Sequence, residues 1–581
     1  MSFQTRRPGR THGAGRSPGL WLLTLGVISL CVIASARAEA PPAPAGRILD
    51  RLPVERPDDP PGVPAKAAPT ARIASTIPFG RFTSIQVNVT ATGADIVGDA
   101  ANEPSLAVDP TQHDRMVIGW RQFDTIASNF RQAGFGYSSN GGLTWTTGKI
   151  EPGVFRSDPV VDVDGSGRFF YNSLRGDLLT FVYRSLNGTT WGPSVPASGG
   201  DKQWMAVDRE LDNLYQAWST ASNQFAPNTF NKSINDGASF AAPSFIPNSP
   251  LWGTLDVASD HTLYLVGWGD DTGGPIYVSR SDDAQEQDAD PTTFTSVPVD
   301  LGGFLSTGGP NPVGLLGQLW IAVDRSNGPR NGWVYVLASV VTDDDPLDVH
   351  FIRSTDGGQT WSAPVRVNDD PAANRAFQWF ATMSVAPNGR IDAVWNDTRG
   401  SADSTRSALY YSYSADGGAT WSANEQATPT WLSTVGWPNQ AKIGDYYDMT
   451  SDDTGADVAY AATFNGGQDV YYLRIPNSAP LAVGDAPATG VARLLESHPN
   501  PFATSTTIRF DAPAGGRVRL DVFDVRGHRV ATLMDRFVSG PGQSVSWDGR
   551  LRGGSSAPPG VYFCRLESGS RMETRKLLRI R

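Results

Sequence analysis

An eight-residue pattern that recurs along the chain constrains the fold more than any other feature. It reads STDGGQTW at 354–361, and looser copies of it, which we call boxes, begin with the same serine. The box serines are Ser138, Ser185, Ser233, Ser281, Ser354 and Ser414, and the first four are 47, 48 and 48 residues apart. A repeat of this length holds about four short strands, which is typical of one blade of a β-propeller.

Residues 82–476 contain seven such units, each opening with an apolar strand such as QWMAVD or LWIAVD. The fold class predicted is therefore all-β, with a propeller of seven blades; six blades, or an ordinary β-sandwich with accidental repeats, are the alternatives. The last unit, 443–475, lacks a box. Because a propeller closes best when one blade takes strands from both chain ends, TSIQVNVT at 83–90 is expected to supply its missing strand.

The N-terminal residues 1–38 have the features of an export signal. A basic start precedes the apolar run LWLLTLGVISLCVIASA, and Ala36-Arg37-Ala38 fits a cleavage site. A retained membrane anchor is the alternative. Residues 39–81 are rich in Pro and Ala and are interpreted as a linker.

Charge and cysteine content exclude several kinds of function. The net charge is −11, although residues 494–581 hold 14 Lys and Arg against 8 Asp and Glu, so the propeller region is acidic. Nucleic-acid binding, which needs a basic surface, is not expected. Removal of 1–38 leaves Cys564 as the only cysteine, which excludes an intramolecular disulfide and a Cys-based zinc site.

The box itself is interpreted as a turn. Asp356 can accept hydrogen bonds from nearby backbone amides, Gly357 and Gly358 tolerate positive φ, and Trp361 can pack across the hairpin. Nothing in this role requires a substrate. The polar residues expected to build these turns are Asn140, Asn187, Asn235, Asp356 and Asp416.

The pattern Ser-x-Asp-x-Gly-x-Thr-Trp resembles the Asp-box, or BNR repeat, of sialidase-superfamily propellers. The resemblance covers 82–476 and implies that the boxes lie away from the ligand site. Two departures weaken it for activity: the Arg-Ile-Pro element occurs only at 474–476, the wrong end, and the sialidases of the family have six blades. Asp-box propellers include sialidases, other glycosidases and non-catalytic receptors.

Candidate site residues lie in loops at the funnel around the propeller axis, where ligands usually bind. The resemblance implies an arginine clamp for a substrate carboxylate, an acid that protonates the leaving oxygen, and a tyrosine nucleophile with a carboxylate neighbour. The residues expected to be catalytic are Asp158, Asp201, Tyr446 and Glu103. The residues expected to bind substrate are Arg121, Arg156, Arg399, Lys202, Gln378 and Asp445.

Residues 494–581 follow a second linker, 477–493, and alternate apolar and polar residues between Gly and Pro turns. They predict a small antiparallel β-sandwich. Asn500-Pro501-Phe502, Trp547-Asp548-Gly549 and Gly560-Val561-Tyr562 resemble the C-terminal Ig-like sorting domain of type IX secretion cargo and the Ig-like domain of flagellar-hook capping proteins. The resemblance implies export to the cell surface or medium and contact with the secretion machinery.

Two hypotheses follow. The first is a sialidase-like protein that acts on extracellular glycans, if an enzyme then of the exo-sialidase type. The second is a non-catalytic propeller, acting as a monomer, that recognises a glycan or protein. Neither needs a cofactor. DVDGSGR at 162–168 resembles the start of a calcium loop, but Ser173 occupies the position of the bidentate Glu, so a hairpin turn is expected there and no metal site is predicted.

Overall fold

The computed structural model describes residues 70–219, 223–269, 275–372, 374–477, 493–511, 517–537, 543–568 and 571–580. The predicted signal at 1–38, most of the first linker and nearly all of the second lie outside the described residues. Within the described ranges every element is a strand, so the predicted all-β class is confirmed. This part of the chain contains no helix that is long and apolar enough to cross a membrane.

Residues 70–81, the end of the predicted linker, already form strands. The first four strands are β1 (Thr70–Ile73), β2 (Thr76–Phe79), β3 (Phe82–Gln86) and β4 (Ala94–Val97). β1 pairs with β4 in a two-stranded sheet, whereas β2 and β3 join a larger sheet described below. The high proline content predicted a linker here instead of strands. Pro78 is compatible with a strand, because β2 is the outermost strand of its sheet and the missing N–H costs no ladder hydrogen bond.

Antiparallel sheets of four or five strands follow in chain order, and we call them ring sheets 1 to 7. Ring sheet 1 has β5 (Ala100–Val108), β6 (Met116–Phe123), β7 (Arg131–Ser138) and β8 (Thr146–Lys149). Ring sheet 2 has β9 (Arg156–Val163), β10 (Phe169–Arg175), β11 (Thr180–Ser185) and β12 (Val195–Pro196). Ring sheet 3 has β13 (Trp204–Asp208), β14 (Asn213–Ala217), β15 (Asn228–Ser233) and β16 (Ser244–Phe245).

Ring sheet 4 is followed by a separate hairpin. The sheet has β17 (Pro250–Leu251), β18 (Leu255–Val257), β19 (Leu263–Gly269), β20 (Ile276–Ser281) and β21 (Thr295–Val299). The hairpin, which we call the axial hairpin, has β22 (Thr307–Gly308) and β23 (Asn311–Leu315) and belongs to no ring sheet.

Ring sheets 5 to 7 complete the series. Ring sheet 5 has β24 (Trp320–Val323), β25 (Val334–Val340), β26 (Asp348–Ser354) and β27 (Val365–Arg366). Ring sheet 6 has β28 (Gln378–Val385), β29 (Ile391–Asp397), β30 (Arg406–Ser414), β31 (Glu425–Gln426) and β32 (Trp431–Leu432). Ring sheet 7 has β33 (Asp448–Asp452), β34 (Gly455–Ala462) and β35 (Asp469–Pro476), and then β3 and β2.

The N-terminal strand closes the last ring sheet, as the sequence predicts. Ser84, Ile85 and Gln86 of β3 pair with Leu473, Tyr472 and Tyr471 of β35. The inner strands β5, β9, β13, β18, β24, β28 and β33 contact one another in this order, and β33 contacts β5. The described strands therefore form a closed ring. This is the arrangement that seven blades would give, and the blade number stays a prediction.

Polar side chains join neighbouring inner strands around the ring. In each case a carboxylate or hydroxyl oxygen accepts the backbone N–H of the next inner strand, at 2.8 to 3.0 Å. The acceptor and donor pairs are Asp448 with Leu106, Ser105 with Val161, Asp162 with Val207, Asp256 with Val323, and Ser384 with Ser451. These bonds satisfy amides that face the axis, where no further strand is available.

The boxes are hydrogen-bonded turns. Ser354 Oγ donates to Asp356 Oδ1 at 2.8 Å and accepts the N–H of Gly358 at 2.8 Å. The hydroxyl and N–H of Thr360 bond the same carboxylate, and together they lower the pKa of Asp356 to about 2. The boxes at Ser138, Ser233 and Ser414 repeat the serine-to-asparagine or serine-to-aspartate bond.

The described C-terminal residues form two sheets around a common core. One has β36 (Arg493–His498), β37 (Thr506–Asp511) and β40 (Gln543–Trp547); the other has β38 (Arg517–Asp524), β39 (Arg529–Phe537), β41 (Gly560–Ser568) and β42 (Arg571–Arg579). Ile508 and Phe510 of the first pack in one buried cluster with Leu520 and Cys564 of the second. This is the two-sheet sandwich that the alternating pattern predicts.

A histidine joins the first and last ring sheets. His113 Nε2 lies 2.9 Å from Asp452 Oδ2 and 2.8 Å from Asp457 Oδ2, and Arg474 pairs with both carboxylates. The bonds to Asp452 and then Asp457 raise the pKa of His113 from 6.5 to about 9. Since the imidazole is charged at neutral pH, it clamps β33 and β34 to the hairpin between β5 and β6.

We expect His113→Gln to lose this clamp in a pH-dependent way. A histidine whose pKa is higher in the folded state contributes stability that is complete below pH 6.5 and disappears as the pH rises through about 9. The side chain is 41% exposed, so screening limits the contribution to about 1 kcal/mol. Denaturant unfolding of both proteins at pH 6 and pH 10 measures it. A difference between them that stayed constant with pH would contradict the charged clamp.

Ser354→Ala tests the structural role of the box. The substitution leaves the Gly358 N–H without its acceptor in a buried turn, and we expect it to lower the free energy of unfolding by about 1 kcal/mol. Thr355→Ala, at the adjacent exposed position, is the matched control and should change little. Equal effects of the two substitutions in denaturant unfolding would argue against the turn.

Candidate functional site

The candidate site begins where two inner strands are interrupted by an acidic residue followed by proline. Glu103-Pro104 in β5 and Asp158-Pro159 in β9 each fall at a register shift in the pairing with the second strand. Proline offers no N–H to the ladder, so pairing stops there. Glu103 and Asp158 adopt positive φ angles of 51° and 46°, which non-glycine residues rarely do.

Six charged residues meet at this end of the ring, and we call them the axial cluster. They are Glu103, Arg121, Asp158, Lys202, Lys442 and Asp445, and each is at most 3% exposed. Arg121 Nε lies 3.0 Å from Glu103 Oε2 and donates to Asn102 Oδ1 at 2.8 Å. The cluster joins ring sheets 1, 2 and 3 to the residues that precede β33.

Two lysines hold the carboxylates of the axial cluster. Lys202 Nζ lies 3.1 Å from Asp158 Oδ1 and 2.9 Å from Asp445 Oδ2. Lys442 Nζ donates to Asp445 Oδ2 at 2.7 Å and lies 3.8 Å from Glu103 Oε1. Both ammonium groups therefore pair with Asp445, and their attraction offsets the cost of removing its carboxylate from water.

The pKa values of the two adjacent carboxyls move in opposite directions. Burial raises the pKa of Glu103 well above its usual range, and Arg121 offsets only part of this. Burial alone would also raise the pKa of Asp445, but Lys202, Lys442 and Arg121 outweigh it and hold the pKa well below the usual range. Lys442 Nζ lies within ion-pair distance of both carboxyls. The surroundings therefore favour the protonated form of Glu103 and the ionised form of Asp445.

Two other predicted acids border this pair. The pKa of Asp158 is lowered, since Lys202 and Arg121 outweigh burial. Burial raises the pKa of Asp201, and Lys202 offsets only part of it. The sequence placed both in the role of proton donor, and of the two only Asp201 has its pKa moved toward the protonated form.

Tyr446 lies beneath the cluster and is fully enclosed. Its hydroxyl donates to the backbone oxygen of Pro159 at 2.9 Å, and its ring packs edge-on against Trp204 at 5.2 Å. Burial, Glu103 and Asp158 raise the pKa of Tyr446 well above 10. This environment disfavours the phenolate that a nucleophile would need; the catalytic role of Tyr446 stays a prediction.

The three arginines of the predicted clamp pair with different groups in different ring sheets. Arg156 Nη2 donates to Tyr183 and Glu151 in ring sheet 2 and the loop before it. Arg399 pairs with carboxylates of ring sheet 6 and of the loop before it, Asp369, Asp370 and Asp397. Gln378 Nε2 also bonds Asp370 and Asp397. Of the three arginines, Arg121 is the one in the axial cluster.

The axial hairpin covers the cluster. The N–H of Leu315 donates to Asp445 Oδ1 at 2.9 Å, and Asn311 Nδ2 donates to the backbone oxygen of Gly444 at 2.8 Å. The N–H of Ile443 donates in return to Asn311 Oδ1 at 2.8 Å. The hairpin thus reaches from between ring sheets 4 and 5 to the segment before ring sheet 7, and it helps to exclude water from the charged groups.

Sequence reasoning missed Lys442, Asn311 and the hairpin. Lys442 precedes Gly444-Asp445-Tyr446 in the segment AKIGDYY, and a cation close to a predicted axial acid was the available signal. Asn311 lies in GGPNPVG, where glycine and proline indicate only a loop. No local pattern shows that this loop crosses to another repeat.

Two groups among the described residues each bring together three side chains that could ligate a metal ion. In the first, His113 with Asp452 and Asp457, the imidazole is protonated and Arg474 is adjacent, which disfavours a cation. In the second, Asp164, Asp212 and Asp236, Arg168 already pairs with Asp236. Asp164 Oδ1 accepts the N–H groups of Ser166 and Arg168, so the predicted hairpin turn at 162–168 is present.

Comparison with known proteins finds distant structural similarity. No protein-family model matches the chain, and no curated protein matches it in sequence. Among solved structures, Trypanosoma rangeli sialidase aligns with a TM-score of 0.34 and 12% identity, covering 88% of this chain and 89% of the sialidase. The BP39L lectin of Burkholderia pseudomallei aligns with a TM-score of 0.39 and 12% identity, covering 63% of this chain and 96% of the lectin.

A third structure is PorZ, a surface component of the type IX secretion system of Porphyromonas gingivalis. It aligns with a TM-score of 0.30 and 12% identity, covering 87% of this chain and 75% of PorZ. These proteins have different functions, and alignments of this quality do not select among them.

Glu103→Gln and Asp445→Asn test the protonation of the pair. Because burial shifts Glu103 toward its protonated form, we expect glutamine, the neutral isostere, to change the free energy of unfolding by less than about 1 kcal/mol. Asp445→Asn leaves the buried charges of Lys202 and Lys442 without their shared partner and should cost about 3–5 kcal/mol. Denaturant unfolding at pH 7 measures both. Equal costs would show that Glu103 is also ionised.

Proposed function

We propose that the protein acts on an extracellular glycan, with the axial cluster as an acid–base site. The observation that carries the proposal is the adjacent pair of Glu103 and Asp445, whose surroundings push their pKa values apart. Such a separation marks acid and base roles in hydrolytic sites. The sequence resemblance of the boxes to those of glycan-directed propellers supports the choice of a glycosidic bond.

In this proposal Glu103 is the proton donor. Its carboxylic acid protonates the glycosidic oxygen as the bond from that oxygen to the anomeric carbon breaks. Asp445, held as a carboxylate by Lys202 and Lys442, faces the positive charge that develops on the sugar ring. Water then adds to the anomeric carbon and returns one proton to the Glu103 carboxylate, which completes the hydrolysis.

The cations of the cluster support an acidic sugar as substrate. Arg121, Lys202 and Lys442 lie around the same acid–carboxylate pair, and a guanidinium with two ammonium groups attracts a carboxylate. Access requires the axial hairpin to move, because it bonds Asp445 directly. Breaking that bond exposes the pair to a ligand from the mouth of the ring.

A second candidate function is non-catalytic recognition of a glycan or protein. Complete burial of Glu103, Arg121 and Asp445 favours it, since a buried ion network can serve the ring alone. The C-terminal sandwich fits either function. From its resemblance to sorting domains we infer that it directs export, so that the protein works at the cell surface or in the medium.

Turnover of fluorogenic sialosides and uronosides distinguishes the candidates. We expect Glu103→Gln to lose at least about 100-fold in kcat, because proton donation to the leaving oxygen contributes that much. Glu425→Gln, at a surface ion pair with Arg81, is the matched control and should retain activity. Tyr446→Phe should also retain it, whereas a tyrosine nucleophile of the sialidase type would make that variant inactive. Absence of turnover by the wild-type protein on both substrate classes would favour the non-catalytic function.

A further inference from the structure

A cavity also opens on the ring axis at the end where the inner strands finish. Its volume is about 130 Å³, and residues of β5, β9, β13, β18, β24, β28 and β33 line it. Two arginines also line the cavity. Arg209 directly follows β13, and Arg325 lies two residues after the end of β24. The box turns lie at this end as well, because they follow third strands that run parallel to the inner strands.

An aromatic layer separates this cavity from the axial cluster. Trp204 packs edge-on against Trp320 at 5.3 Å and against Tyr446 at 5.2 Å. Both tryptophans line the cavity, whereas Tyr446 follows Asp445 of the cluster. A ligand in the cavity would therefore not contact Glu103 or Asp445.

Two aspartate–arginine pairs lie in the cavity wall, and each connects the inner strands of two adjacent ring sheets. Asp162 accepts the N–H of Val207, and Arg209, two residues later, lies 3.6 Å from the same carboxylate. Asp256 accepts the N–H of Val323, and Arg325, two residues later, lies 2.5 Å from that carboxylate. The arrangement thus links ring sheets 2 and 3 and ring sheets 4 and 5.

The charges on this wall balance one another. Each arginine has an aspartate beside it, and burial raises the pKa of the third wall carboxyl, Asp448, to about 7. The side chains of Arg209 and Arg325 are nevertheless 44% and 46% exposed, so they present N–H donors to solvent next to carboxylate acceptors. A charged ligand would therefore gain little electrostatic attraction from this wall. A ligand with neighbouring hydroxyl groups, in contrast, would find paired hydrogen-bond donors and acceptors.

We propose that this cavity binds a neutral polyhydroxylated ring, the terminal sugar of a glycan chain. Cavities for drug-sized ligands occupy about 300–1,000 Å³, so this smaller cavity takes a single ring or part of one. The sugar hydroxyls bond the two aspartate–arginine pairs, together with Ser384 and Thr450 on the wall. This site is separate from the proposed acid–base site and does not depend on its activity.

Titration calorimetry of the full chain with free monosaccharides tests the site. The probes are galactose, fucose and mannose as neutral sugars, and glucuronate and sialic acid as charged ones. We expect at least one neutral sugar to bind, and Arg209→Ala and Arg325→Ala each to weaken that binding at least tenfold. Arg280→Ala is the matched control, because Arg280 pairs with Asp282 at a neighbouring hairpin and does not line the cavity.

The outcomes separate this site from the acid–base site. Neutral-sugar binding should persist in Glu103→Gln, even if that variant has lost turnover. Circular dichroism and thermal unfolding establish that the arginine variants remain folded. Failure of every neutral sugar to bind, binding of the charged sugars alone, or binding unaffected by both arginine substitutions would overturn the proposal.

Discussion

The ring depends on the pairing of its first strand with its last sheet. Asn88, just after β3, donates to Asp469 across 381 residues of chain, and β3 itself pairs with β35. Joining chain ends this far apart costs about 5 kcal/mol of loop entropy by the usual logarithmic estimate. The strand ladder, the bond from Asp448 to Leu106 and the clamp at His113 all act at this junction to offset it.

Closure also brings the charged groups of the axial cluster together. Glu103 comes from the first ring sheet and Asp445 from the segment before the last one, so the link between them through Lys442 exists only in the closed ring. Burying these charges is unfavourable without compensation, and the positive φ angles of Glu103, Asp158 and Lys202 add strain. Strained backbone and opposed pKa shifts often coincide at functional sites, which is why the cluster carries the functional proposal.

Local sequence patterns predicted the strands and turns. They did not predict the contacts between residues that are distant in the sequence. The period of the box serines indicated repeated sheets, and TSIQVNVT indicated the closing strand, because each depends on a short stretch of sequence. Glu103, Asp158, Lys202 and Asp445 were selected because they precede predicted inner strands, and their functional roles stay predictions. The sequence did not show that Arg156 and Arg399 have separate carboxylate partners, or that the axial hairpin bonds Asp445, since such contacts join distant repeats.

The strand exchange between β3 and β35 has a consequence for how the protein reaches its folded state. Until residue 476 is free to pair, β3 has no partner, so a chain that emerges from its N-terminus must hold an open arc of sheets. Non-local pairing of this kind slows folding. The ring of sheets can therefore close only after the last of its repeats is available for pairing.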